Sequence, residues 1–253
     1  MTSIVPSARL VGLLQGRGPV LVLTGAGVSQ ESGIATFRDA SGIWEGIDPM
    51  QVATPRAFAA DPEFVWRFYD ARRAQAATVE PNPAHHAVAA IEATGRTFLL
   101  ATQNVDGLHE RAGSRSLVRL HGSLWRLRCT RCGDEHEDLR PKLAPLPPHC
   151  AACGGMLRPG VVWFEEPLPM IEFARAERAA REAELVFVVG TSSLVYPAAS
   201  LQTVAVSSGG YVVEINPART PFSDDASEHL SGPAGVVLPA LLKAAGIPMD
   251  RAA

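Results

Sequence analysis

Val20-Leu-Val-Leu-Thr-Gly-Ala-Gly-Val-Ser29 joins a short apolar run to a glycine-rich turn. The run Val20–Thr24 reads as a buried strand. A doubly wound fold places its phosphate-binding turn directly after the first strand. Glycines there let the backbone approach a pyrophosphate, and a following helix N-terminus favours its charge. Here, however, the third glycine is Gly33, six residues after Gly27 and not three. The acidic residue expected to end a second strand is also missing, because the next stretch is Thr36-Phe-Arg-Asp39. An ordinary dehydrogenase fingerprint therefore fails, and a hydride-transferring oxidoreductase is excluded. On its own the turn fits a structural bend and a nucleotide site equally well.

Working outward, residues 97–102, 117–120, Leu185–Val189, 211–215 and 235–238 read as further buried strands. Helical patterns such as 85–94 and 170–184 lie between many of them. This alternation implies an α/β fold, a Rossmann-like doubly wound parallel sheet with helices on both faces. Two regions break the rhythm and are expected as inserts. One is helical and loop-like, at about 37–80. The other, at about 127–157, holds every cysteine and a proline-rich link through Pro141, Pro145, Pro147 and Pro148. The expectation is a single catalytic domain over 1–253. Its large lobe comprises about 8–36, 81–126 and 158–253, and it carries the helical insert and a zinc module.

Among the 253 residues, 23 are basic and 26 acidic, and 47% are apolar. A chain of this length buries a full core without disulfides. The near-neutral balance argues against nucleic acid, which needs a concentrated positive field. The longest uncharged stretch, 185–213, is interrupted by Gly190, Pro197, Gly209 and Gly210, so no membrane span is expected. Arg9 and Arg17 bracket only a weak apolar run with no cleavage site after it, so a cytoplasmic location is expected.

The cysteines form two pairs, Cys129-x2-Cys132 and Cys150-x2-Cys153. Two disulfides would be an alternative in a secreted chain. Without a signal peptide, four thiolates around one Zn2+ is the better reading. Gly133 and Gly154 follow the pairs and suit the tight turns of a zinc knuckle. Four protein ligands leave no position open for water, so the zinc is expected to be structural, with His136 and His149 as bystanders.

Polar residues crowd the ends of the later strands: Thr102-Gln103-Asn104-Val105-Asp106, His121-Gly122-Ser123, Gly190-Thr191-Ser192-Ser193 and Asn216-Pro217. Each alone could be a cap or a loop hydrogen bond. Their convergence on one crevice at the carboxyl ends of the strands points to a ligand site. His121, on a glycine-flanked turn after a strand, is the candidate general base, the alternative being a buried hydrogen-bonded histidine. His85 and His109 fit structural roles better. Asp61-Pro62-Glu63 reads as a helix start, with Phe64 and Phe68 on the buried face of the helix that follows. Tyr69 and Arg72 are three apart and share a face. Together they could read a small carboxylate, or they could be a solvated arginine lying over a tyrosine.

Taken together, the residues resemble a sirtuin, an NAD-dependent protein-lysine deacylase. The resemblance spans Val20 to Leu242. It is carried by Gly25-Ala-Gly-Val-Ser-Gln-Glu-Ser-Gly-Ile-Ala-Thr-Phe-Arg38, Thr102-Gln-Asn-Val-Asp106, His121-Gly122, the paired cysteines, Gly190-Thr-Ser-Ser193 and Glu214-Ile-Asn-Pro217. Tyr69-x-x-Arg72 resembles the pair that marks the class III branch, whose members remove succinyl, malonyl and glutaryl groups.

The resemblance implies NAD+ as a consumed co-substrate, a structural Zn2+ and acylated-lysine proteins or peptides as partners, with a monomer favoured. Gly25, Ala26, Gly27 and Ser29 would line the pyrophosphate turn, and Phe37, Arg38 and Trp44 the loop over the nicotinamide end. Gln103, Asn104, Val105 and Asp106 would hold nicotinamide and its ribose. Gly190, Thr191, Ser192, Asn216, Pro217 and Ala234 would surround the adenosine half. Val161, Val162, Trp163 and Phe164 resemble the strand that pairs with the peptide. The acyl oxygen would attack C1′ of the ribose and expel nicotinamide, with Asn104 and His121 as the catalytic pair. His121 would deprotonate a ribose hydroxyl, giving O-acyl-ADP-ribose and free lysine. Glu165 departs from the family's Phe-Gly-Glu pattern, and Ala234 stands where some relatives carry cysteine. A sirtuin acting mainly as deacetylase or ADP-ribosyltransferase, and a zinc-containing module that binds NAD or ADP-ribose without turnover, are the competing readings.

Overall fold

The computed structural model describes residues 5–34 and 47–249. Its strands are β1 (Val20–Thr24), β2 (Phe98–Thr102), β3 (Leu117–Arg119), β4 (Gly122–Cys129), β5 (Glu135–Glu137), β6 (Leu157–Val161), β7 (Leu185–Val189), β8 (Tyr211–Asn216) and β9 (Glu228–Ser231). The α-helices are α1 (Ala8–Gln15), α2 (Pro55–Ala60), α3 (Pro62–Thr78), α4 (Pro83–Ala93), α5 (Leu108–Arg111), α6 (Met170–Glu182), α7 (Ser200–Ser207) and α8 (Ala234–Ala244).

Six strands form one sheet in the order β3-β2-β1-β7-β8-β9, and every pair in it is parallel. This is the Rossmann arrangement: the chain winds outward from β1 in one direction, then returns and winds the other way from β7. The strand order therefore reverses between β1 and β7, and a crevice opens there beyond the carboxyl ends. Along β1 the side chains alternate between two cores. Val20 and Val22 join residues of α1, α4 and α8, while Leu21 and Leu23 join Ala176 and Ala180 of α6 and Leu201 and Ala205 of α7. Burial on both faces explains why these strands read as unbroken apolar runs.

At the sheet's far edge the structure departs from the sequence-based expectation. Residues 235–238 are not a strand: they lie inside α8, where Val237, Leu238, Leu241 and Leu242 recur at helical spacing and are buried. The edge strand is instead β9, Glu-His-Leu-Ser, whose polar composition hides it because only Leu230 faces the core.

A second, antiparallel sheet has the order β5-β4-β6. It shares a third core with the helical segment, in which Val65, Trp66, Phe68 and Tyr69 pack with Leu124, Leu127, Leu157, Val161 and Trp163. The indole N–H of Trp66 donates to the Leu157 carbonyl at 2.8 Å. Arg73, almost fully buried, donates to the carbonyls of Leu124, Asp138 and Arg140 and pairs with Asp138. The helical segment and the cysteine segment are thus packed into one small lobe. Asp61 caps α3 through Phe64 N–H, with Pro62 in the first turn, as the sequence predicts. Phe64 itself is exposed, however, because the buried face of α3 runs through Val65, Phe68, Tyr69 and Ala76.

Candidate active site

The turn after β1 meets the turn after β7 at the point of strand reversal. Gly27 N–H donates to the Gly190 carbonyl at 2.8 Å, and Gly25 N–H donates to that of Val189 at 3.1 Å. A Cβ on Gly27 would lie 2.8 Å from that carbonyl oxygen, and one on Gly190 would lie 2.4 Å from Val28 N. Gly190 also has a φ of +59°. The glycines are therefore needed first for two turns to touch, a demand that the motif alone, read as a cradle for pyrophosphate, does not reveal. The segment after the turn is a 3-10 helix, Ala26–Ser32, closed by Gly33 at φ +92°. The displaced third glycine thus ends this helix instead of packing it on the sheet.

Hydrogen bonds draw the polar strand ends together. Gln103 Nε2 donates to Thr191 Oγ1 at 3.3 Å, and Asn216 Nδ2 donates to the Thr191 carbonyl at 2.7 Å. Ser29, buried, is the hub. Its hydroxyl donates to Asp106 Oδ2 at 2.8 Å and accepts from Asn104 Nδ2 at 3.1 Å. His85 Nδ1 accepts from Asn82 N–H, so the ring carries its proton on Nε2 and donates it to Ser29 Oγ at 3.3 Å. Asp106 Oδ1 accepts from Leu108 N–H, and burial raises its pKa despite that amide and the Ser29 hydroxyl.

His85 and His109, which no local motif marks as part of the site, prove to be its supporting layer, with ring centroids 4.7 Å apart. Thr24 Oγ1 donates to Thr102 Oγ1 at 2.8 Å and lies 3.1 Å from His109 Nε2. Burial is the main cause that holds His85 down to about 2 and His109 down to about 3. Both are therefore neutral in the folded protein, whereas in the unfolded chain they take a proton near pH 6.5. Because the folded values lie below the unfolded one, their contribution is intact above the unfolded value and is lost as pH falls toward the folded values. Between pH 7 and pH 5.5 the two should cost about 2.5 kcal/mol of stability. Urea melts at the two pH values check this, and replacing His85 with Gln should shrink the difference.

His121 is half-buried at the end of β3. Its Nδ1 lies 3.2 Å from the Gln103 carbonyl, which can only accept, so Nδ1 carries the proton and Nε2 keeps its lone pair. Burial lowers its pKa, opposed by that carbonyl. The His121 carbonyl in turn accepts from Val162 N–H at 2.9 Å, tying the histidine to the segment after β6. On that segment Val161 and Trp163 are buried, Val162 is partly buried and Phe164 is exposed. Trp163 directs its indole inward to Tyr69. Tyr69 and Arg72 face the same region: the Arg72 guanidinium lies 5.7 Å from the Phe68 ring and acts electrostatically on both Tyr69 and Asp106.

Glu165, where a glycine was expected, holds a φ of +72° and pairs with Arg56 at 2.9 Å. Its charge is therefore partnered. Pro217 is exposed at the β8 turn and Ser192 is partly buried at the β7 turn. Ala234 begins α8, and the amide of the next residue, Gly235, donates to Glu31 on the 3-10 helix at 2.6 Å. Phe37, Arg38 and Trp44 lie outside the described residues.

In the small lobe the four cysteine sulfurs lie within 4.8 Å of one another. Two of their separations are 3.5 Å (Cys129 to Cys153) and 3.8 Å (Cys132 to Cys150). A tetrahedral zinc with bonds of about 2.3 Å sets its sulfurs about 3.8 Å apart, so the cluster fits one zinc ion. The amides of Cys132 and Arg131 point at the Cys129 sulfur and help draw its thiol down to about 6. Gly133 and Gly154 take φ values of +76° and +69°, the left-handed turns expected of the knuckles. His136 bonds Asp134, and neither it nor His149 belongs to the cluster.

A parallel sheet of this order, a crevice of convergent amides and hydroxyls at its reversal, and a four-cysteine module define a Rossmann-like nucleotide-binding protein with a structural zinc lobe. The Sir2 family profile matches residues 25–197. An NAD-dependent protein deacylase of Thermus thermophilus is 51% identical over 237 residues, 92% of this chain and 92% of that one. A crystal structure of a Sir2 homolog–NAD complex superposes with a TM-score of 0.91 at 44% identity, covering 96% of this chain and 95% of the other. A Sir2 complex with deacetylated p53 peptide and 3′-O-acetyl ADP-ribose gives 0.85 at 33%, covering 95% and 98%. The chain belongs to the Sir2 family.

Proposed function

We propose that this chain is an NAD-dependent protein-lysine deacylase that removes succinyl, malonyl and acetyl groups, yielding nicotinamide, O-acyl-ADP-ribose and free lysine. The observation that carries the reading is the His121 tautomer: with Nδ1–H on the Gln103 carbonyl, the Nε2 lone pair is left to take a proton. Bound NAD supplies the electrophilic ribose carbon and the hydroxyl that His121 deprotonates. Asn104, fixed by Ser29, and Gln103, fixed by Thr191, orient the nicotinamide ribose. Asp106 holds Ser29 in place and so keeps Asn104 aimed. The Gly25–Gly27 turn against Gly190 and Thr191 takes the pyrophosphate, and Asn216, Pro217 and Ala234 the adenosine half. These positions follow pre-organised polar groups, which act by orientation and fixed dipoles.

The preference for acidic acyl groups rests on Tyr69 and Arg72, about one helical turn apart on α3. A carboxylate there gains a phenol donor and a guanidinium in a site withdrawn from water. The protein substrate pairs with Val161, Val162, Trp163 and Phe164 along the cleft. The lobe limits of about 37–80 and 127–157 belong to this same proposal. Among the described residues no helix is long and apolar enough to cross a membrane.

Matched acetyl-lysine and succinyl-lysine peptides with NAD, read by mass for nicotinamide and O-acyl-ADP-ribose, test the reading. Faster succinyl removal supports it, acetyl preference removes the acidic-acyl part, and no turnover removes the enzyme. Replacing Arg72 with Met should lower kcat/KM for desuccinylation by about 100-fold, since a charged hydrogen-bonded partner is lost, and for deacetylation by less than about 3-fold. Equal losses would remove its carboxylate role.

A further inference from the structure

We propose that Trp163 is the positioning residue for acyl selectivity, its indole N–H fixing the direction in which the Tyr69 hydroxyl donates. The inference rests on the acidic-acyl reading above and deepens it. Indole nitrogen is a donor only, and Trp163 Nε1 lies 2.9 Å from Tyr69 Oη, so the phenol oxygen must accept there. A phenol hydroxyl keeps its proton near the ring plane, with two favoured directions. The incoming indole N–H takes one side, and the phenol proton turns to the other. No acceptor for that proton is found among the described residues. A buried donor with its lone pair used and its proton unmatched is costly unless a ligand supplies the acceptor.

The indole cannot swing away to relax this arrangement. Its ring has Phe58 at 5.3 Å and the Arg158 guanidinium 3.4 Å from its centroid. Arg158 is itself held by both oxygens of Glu166, at 2.6 and 2.9 Å, and Glu166 accepts the Trp163 backbone N–H at 2.9 Å. Phe68 packs edge-on against the Tyr69 ring, with centroids 5.1 Å apart. Burial pushes the phenol up to about 12, so it stays a donor across the working pH range. Arg72 beside it supplies the positive charge. A terminal carboxylate would meet both groups, whereas an acetyl methyl has nothing to accept the phenol proton. Trp163 therefore acts on selectivity through Tyr69, without touching the reacting atoms.

The test replaces Trp163 with Phe, which keeps an aromatic ring and removes the N–H. Trp163 also lies on the segment proposed to pair with the peptide, so any loss of pairing falls on both substrates and cancels in their ratio. The succinyl-to-acetyl ratio of kcat/KM, measured on peptides of one sequence, should fall about 10-fold, mainly through the KM for the succinyl peptide. In a Tyr69→Phe background the same replacement should leave the succinyl-to-acetyl ratio unchanged, because the pair acts as a unit. Should the Phe variant fold poorly, benzothienylalanine at position 163 carries sulfur in place of N–H at nearly unchanged size and makes the same comparison. Equal losses on both substrates, no change on either, or full additivity with Tyr69→Phe would overturn the role of Trp163 and leave the acidic-acyl reading intact. A parent enzyme with no succinyl preference would instead overturn that reading, and this inference with it.

Discussion

Replacing His121 with alanine or tyrosine should lower NAD-dependent deacylation by about 100-fold to 10,000-fold, the range of a lost general base. NAD affinity should stay within about 3-fold. The reason for this split is positional. The residues proposed to hold NAD are fixed by bonds that do not involve the imidazole: Gln103 N–H to the Thr24 carbonyl, Gln103 Nε2 to Thr191, Asn104 to Ser29. His121 contributes only Nε2, kept unprotonated because Nδ1–H is committed to Gln103. Calorimetric titration of NAD beside mass detection of O-acyl-ADP-ribose separates the two quantities. A fully active variant would show that another group takes the proton. The parent enzyme's pH profile carries the same signature. Burial lowers the His121 pKa, so the neutral base survives below the ordinary histidine value and activity should fall only on the acid side of about pH 6.5.

How much of this site could be read from sequence depends on whether its parts act locally. The strand-and-turn units were legible because strands buried on both faces leave continuous apolar runs, and each polar triplet follows its strand directly. The cysteine pairs were legible because two short knuckles need only local spacing. By contrast, the layer beneath the site was not legible. Ser29 meets His85 and Asp106, which are 56 and 77 residues away, and no local pattern marks a histidine as the support of a serine. On α3, Phe68 is buried as expected but Phe64 is not, because the small lobe covers the neighbouring Trp66 from Leu157, 91 residues later. Residues 235–238 misled for another reason: β-branched residues favour strands only weakly, and packing of α8 against α4 and the sheet overrides them. Trp163 sits in a strand-like segment proposed to pair with the peptide, yet its side chain turns inward to Tyr69, a direction that alternation alone does not give.

Removing zinc should melt the small lobe and abolish activity, although four cysteine ligands would leave the metal no open position for a reacting atom. Strand β4 begins next to His121 and ends at Cys129, while β6 starts shortly after Cys153 and leads into Val161 and Val162. The two strands pair with each other, Cys129 opposite Leu157 at one end and Gly122 opposite Val161 at the other. Zinc held by the four cysteines would therefore clamp one end of a ladder whose other end carries the His121 carbonyl bound to Val162 N–H. A structural zinc site is worth about 10 to 16 kcal/mol in small peptides, comparable with the whole stability of a domain. At that end the protein's own support is the packing of Leu127 and Leu157 with Trp66 and the Trp66–Leu157 hydrogen bond. The neighbouring strand β5 is three exposed residues, and the ion pairs around it are solvent-facing and worth little. Arg73 with Asp138 is a buried anchor, but it holds the far side of the module, away from the cysteines. Thermal melts with and without a strong chelator, beside metal analysis giving one zinc per chain, make the measurement. A large drop in melting temperature with parallel loss of turnover is expected, and Cys150→Ser should reproduce it. An unchanged melt after verified metal removal would mean that the core around Trp66, Leu127 and Leu157 holds the ladder by itself.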